Sequence, residues 1–124
     1  MNMKLIEYGM VIQKIGIILT QIANTTNLDC RYNQLQKSLH DCEENLKILK
    51  LLEPPSSIIE EHVCLINGVD GIRGTINYMI NCIDNSRQTL NKNNFDIGLT
   101  MLKENEVVLV DATKSIINKL IYSL

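Results

Sequence analysis

Apolar residues at Leu5, Tyr8, Ile12, Ile15, Leu19 and Ile22 recur in alternating steps of three and four. That spacing keeps one stripe of an α-helix turned toward a nearly parallel neighbour, and it predicts a first helix over about Met3 to Ala23. The cluster Asn24-Thr25-Thr26-Asn27 supplies turn and N-cap side chains, and a second stripe follows through Leu28, Tyr32, Leu35, Leu39, Cys42, Leu46 and Leu49. Pro54-Pro55 must end this helix, because a proline disfavours helical geometry at the residue before it, here Glu53. Ser56 or Ser57 then offers a cap for a third helix carrying Glu60 and Glu61 in its first turn. The third stripe reads Ile58, His62, Leu65, Val69, Ile72, Ile76, Met79, Ile83. A polar connection from about Asp84 to Asn94 precedes the fourth: Phe95, Leu99, Leu102, Glu106, Leu109, Thr113, Ile116, Leu120. Short connections make each helix antiparallel to the one before. The expected fold is therefore all-α, an antiparallel up-down-up-down four-helix bundle formed by residues 1–124 as one domain.

Composition sharpens this picture. A chain of 124 residues with 45% apolar content is large enough to bury one core, and at 4% aromatic residues with no Trp that core is aliphatic. Stacking platforms for single-stranded nucleic acid are disfavoured. A net charge of −2 with scattered Lys and Glu leaves no basic stripe to neutralise phosphates, so no nucleic-acid partner is expected. Glu7 and Lys14 interrupt the N-terminal apolar run, which argues against a signal peptide and a membrane span. Cys30, Cys42, Cys64 and Cys82 show no close C-x-x-C pairing, and neighbours on one helix are too far apart to bridge. A reducing cytoplasm is the simplest setting.

Apolar residues also fall outside the stripes. Val11 and Ile18 stand out on helix 1, with Ile59, Ile66 and Ile80 on helix 3 and Val110, Ile117, Ile121 and Leu124 on helix 4. Helix 1 is apolar around more than half its circumference, which points to a homodimer or another protein covering an exposed face. Small residues form a second anomaly: Cys64, Gly68, Gly71 and Thr75 on helix 3, and Gly9, Gly16 and Ala23 on helix 1. Each mid-helix glycine costs about 1 kcal/mol relative to alanine, so these mark either close helix approach, within the bundle or across a dimer, or an open groove. Val11, Ile18, Gly68 and Gly71 are the candidate interface residues.

Two constellations could carry chemistry. Antiparallel pairing of helices 3 and 4 sets Arg73 and Glu106 at one height, where each interrupts an apolar stripe. They read as a partly buried ion pair fixing register, or as the polar end of a ligand pocket. The Pro54-Pro55 turn likewise sets Cys42 and His62 at similar height, with Tyr8 near, so that a thiol, an imidazole and a phenol converge as a buried structural cluster or a reactive pair. No metal site is expected: in His40-Asp41-Cys42 and His62-Val63-Cys64 the ligand types are two residues apart, about 200° around a helix. The Glu-x-x-His di-iron pattern and the Cys-x-x-Cys-His haem attachment are missing from the sequence, and neither histidine has a phosphorelay context. No cofactor is implied.

Ile and Asn richness, the hinge Leu51-Leu52-Glu53-Pro54-Pro55 and the helix opening Ser56-Ser57-Ile58-Ile59-Glu60-Glu61-His62 make the middle third of the chain resemble small helical-bundle proteins of unknown function from AT-rich bacteria. The resemblance implies no activity and no site residues. The sequence thus points to a non-enzymatic interaction module that self-associates or binds a protein through an apolar helix face. The alternatives are a small-ligand sensor or carrier built around Arg73 and Glu106, and an enzyme or redox protein using Cys42 and His62.

Overall fold

The computed structural model describes residues 3–23, 28–84 and 86–122, with side chains described over 5–22, 31–84 and 86–122. The Asn24 to Asn27 turn and the side chains of Ala23, Leu28, Cys30 and Leu124 lie outside that range. Among the described residues four α-helices carry the fold: α1 (Met3–Ala23), α2 (Leu28–Leu51), α3 (Ile59–Asn81) and α4 (Lys92–Tyr122). They pack as an all-α bundle around a single cluster of buried residues, in which α3 and α4 form the closest pair.

The breaks between helices follow from local chemistry. Leu52 N–H donates to the Leu49 carbonyl in the last turn of α2, and the two prolines bar continuation. Ile58 N–H then donates to the Pro55 carbonyl across a 3-10 turn, Ser56–Ile58. Neither serine caps α3 by its side chain, contrary to the sequence expectation; Ile58 occupies the N-cap position, and Glu60 and Glu61 stand in the first turn. The acidic pair favours the positive end of the helix dipole. After α3, the expected polar coil is instead a short antiparallel hairpin, β1 (Ile83–Asp84) on β2 (Thr89–Leu90). Asp84 holds it by accepting from the Ser86 hydroxyl and the Arg87 N–H. α4 starts at Lys92, three residues before Phe95, because Asn91 Oδ1 accepts the Asn94 N–H at 3.2 Å and supplies the N-cap.

Every apolar stripe residue of α3 is buried, as its spacing predicts. On α1 the core residues are Tyr8, Val11, Ile15, Ile18 and Ile22, while Leu5, Ile12 and Leu19 are only partly buried. On α4 they are Phe95, Gly98, Leu102, Leu109, Ala112, Ile116 and Leu120, and Leu99 and Glu106 are exposed. In both helices the seven-residue repeat is as expected but the intermediate position is one residue earlier. α2 also turns a polar face to α1. Gln34 donates to Gln21 and Ser38, and Asn45, 1% exposed, donates to the Val11 carbonyl.

Candidate functional site

The phenol and imidazole of the expected three-residue cluster do meet. Tyr8 Oη lies 2.6 Å from His62 Nδ1, with the rings edge to face at 86° and 5.7 Å between centroids. Tyr8 is fully buried and His62 nearly so. Burial, reinforced by the Glu7 charge, pushes the Tyr8 phenol up to about 12, so it stays protonated and can donate to Nδ1. The thiol does not join them. Cys42 Sγ donates to the Val69 carbonyl at 3.6 Å, on α3 but seven residues beyond His62. The loop and 3-10 turn after Leu51 lengthen the connection, so α3 meets α2 about two helical turns from where a tight turn would set it. Burial pushes Cys42 up to about 12, far from the thiolate that nucleophilic or metal chemistry requires.

Arg73 and Glu106 do not pair. Arg73 Nε donates to Asp70 Oδ1 on its own helix at 2.8 Å, which raises the guanidinium further. Glu106 is exposed and lines a groove of 250 Å³ between α1 and α4 with Leu19, Ile22, Leu102 and Lys103. Equal height along antiparallel helices does not fix the direction in which side chains point; each residue turns a helix by about 100°. The position opposite α3 belongs to Asn105, which donates to Thr75 Oγ1 at 3.1 Å and to the Met101 carbonyl at 3.0 Å. The sequence reading placed Glu106 there, but the seven-residue interval from Leu102 to Leu109 can also be bridged at residue 105.

The four candidate interface residues face inward. Val11 and Ile18 are each 2% exposed, and both belong to the chain's own core. Gly68 admits Leu109, whose Cβ would lie 3.5 Å from an added methyl group, and Gly71 admits the Asn105 carboxamide. Close packing of α3 on α4 accounts for these two glycines. Gly98 does the same on α4, against Met79 and Tyr78. Val11 and Ile18 thus belong to the chain's own core, and Gly68 and Gly71 to the contact of α3 with α4.

The exposed apolar surface lies elsewhere. Ile6, Met10 and Ile17 are 37, 57 and 49% exposed on α1, and Ile48 on α2 is 42% exposed. Between Met10 and Ile48 runs a groove of 120 Å³ lined also by Val11, Leu52, Glu7 and Lys14, with Asn45 in its wall. By length and composition the α1 window Leu5–Ile22 is apolar enough to cross a membrane, although Glu7 and Lys14 fall within it, and only 28% of it is buried in the bundle. A second groove, between α3 and α4, combines Cys64 with Glu60, Glu61 and Asp111. Its edge is set by the ion pair of Lys119 with Glu61, whose hydrogen bond holds the Glu61 carboxyl below its ordinary value. Among the described residues no group of His, Cys, Asp and Glu is arranged to hold a metal ion.

The class that these features define is an antiparallel α-helical bundle with an aliphatic core and an apolar outer face on its first helix. No protein-family model, curated protein or solved structure matches the chain.

Proposed function

We propose that this chain is a non-enzymatic interaction module that docks a protein through the outer face of α1. The observation that carries the reading is the distribution of apolar residues on that helix: Val11, Ile15, Ile18 and Ile22 fill the core, and Ile6, Met10 and Ile17 remain at the surface on the other side. Burying those three side chains would contribute roughly 1 to 2 kcal/mol each at the usual transfer coefficient. Patches of this kind on a small domain mark sites of association. Arg73 and Glu106 point to different neighbours, which leaves the ligand-carrier alternative without the two ends of its pocket. The cytoplasmic setting remains part of the proposal, and Cys42, Cys64 and Cys82 are free thiols.

Photo-crosslinking from Met10 and Ile17 tests the reading, with exposed Asn67 and Glu104 as control positions. Adducts of defined mass from α1 alone support it. Equal or absent crosslinking from all four positions refutes it, and insertion of α1 into lipid without any protein adduct would replace it with a membrane-surface role.

A further inference from the structure

The outer face of α1 is complementary to itself. Ile6, Met10, Gln13 and Ile17 stand four, three and four residues apart, the seam spacing of a coiled coil, and all four are exposed. One edge of this seam carries Glu7 and Lys14, opposite charges seven residues apart. The other carries Gly9 and Gly16, also seven apart. A Cβ added at either glycine would meet nothing within 4 Å in the described structure. Packing within the chain therefore gives no reason for these residues, unlike Gly68, Gly71 and Gly98, yet each weakens the helix.

Resting on the proposed docking role of α1, we infer that its partner is a second copy of this chain, with the two α1 helices antiparallel across a two-fold axis between residues 11 and 12. That axis sets Ile6 against Ile17 of the second copy and Met10 against its Gln13. Glu7 comes within side-chain reach of Lys14 of the second copy, and symmetry makes the pair twice. A parallel two-fold pairing would instead set the Glu7 and Lys14 edge of each copy against the Gly9 and Gly16 edge of the other, leaving the charges without their opposites. The glycine edges face each other and let the helix axes approach closely.

The test is the solution mass of the full chain by light scattering over a dilution series reaching ~100 µM, a range that captures dissociation constants in the micromolar class. Wild type is expected as a dimer. Glu7→Lys and Lys14→Glu each turn two attractive pairs into two repulsive ones and are expected to weaken the dimer about tenfold or more, and the double reversal to restore it. Gly16→Leu, whose Cβ would meet nothing within 4 Å in the described structure, is expected to give a folded monomer. A monomeric wild type overturns the second copy as partner, while α1 crosslinks to another mass would leave the docking role standing. A dimer that Ile17→Glu does not weaken overturns both. A dimer that Ile17→Glu dissociates but the charge reversals leave unchanged overturns the antiparallel arrangement alone.

Discussion

Gly71→Ala gives a quantitative test of how α3 meets α4. The new methyl carbon would overlap Asn105 Oδ1 and lie 2.9 Å from its Cγ, so the carboxamide must move. Moving it breaks the bonds from Asn105 to Thr75 and to the Met101 carbonyl. At about 1 kcal/mol each this costs roughly 2 kcal/mol, against a gain in helix propensity of about 1 kcal/mol, for a net loss near 1 kcal/mol. With Asn105→Ala already in place the obstacle is gone, because the remaining atoms lie no closer than the 3.4 Å of the displaced amide nitrogen. Gly71→Ala should then stabilise by about 1 kcal/mol, so the double-mutant cycle should show a coupling near 2 kcal/mol. Gly74→Ala, where a Cβ meets nothing within 4 Å, is the control and should stabilise by about 1 kcal/mol, or about 4 °C in Tm. Urea and thermal unfolding followed by circular dichroism measure all of these. Additivity of Gly71→Ala and Asn105→Ala within about 0.5 kcal/mol would show that the Asn105 carboxamide does not occupy the space over Gly71.

Other expectations follow from single sites. Tyr8→Phe removes the bond to His62 and should cost about 1 to 3 kcal/mol, because Nδ1 is left buried without its donor. Burial raises the Tyr8 phenol from 10.0 to about 12, so the unfolded chain ionises first and stability falls as pH rises from 10 to 12, by up to about 3 kcal/mol; alkaline unfolding curves of Tyr8→Phe should lack this component. In a thiol-labelling time course at neutral pH, exposed Cys64 should react well before Cys42, which burial holds protonated; equal rates would contradict the packing of α2 on α3. Ile18→Glu places a charge at a site 2% exposed and should unfold the bundle by circular dichroism, whereas Ile17→Glu at 49% exposure should leave the monomer fold within about 1 kcal/mol of its original stability.

The sequence by itself determined the number of helices, their seven-residue repeats and most of their boundaries, because periodicity and proline act locally. α3 was legible residue by residue: it packs on both α2 and α4, and the stripe its spacing marks is the face they bury. α1 and α4 were less so. A seven-residue interval can be bridged at the third or the fourth position, and hydrophobicity favoured Ile12 over Val11 and Leu99 over Gly98. The structure chose Val11 and Gly98, since the direction of the neighbouring helix decides which position faces inward and a glycine can be buried by close approach without any apolar signal. The same rotation moved Asn105 into the place expected of Glu106 and took Val11 and Ile18 from the surface to the core. Tyr8 and His62 came together while Cys42 did not, because heights across a connection depend on its length in three dimensions, and the turn after Leu51 spends seven residues before α3 begins. Local chemistry wrote the helices into the chain; which face each one turns inward is a property of its neighbours, and only the tertiary structure decided it.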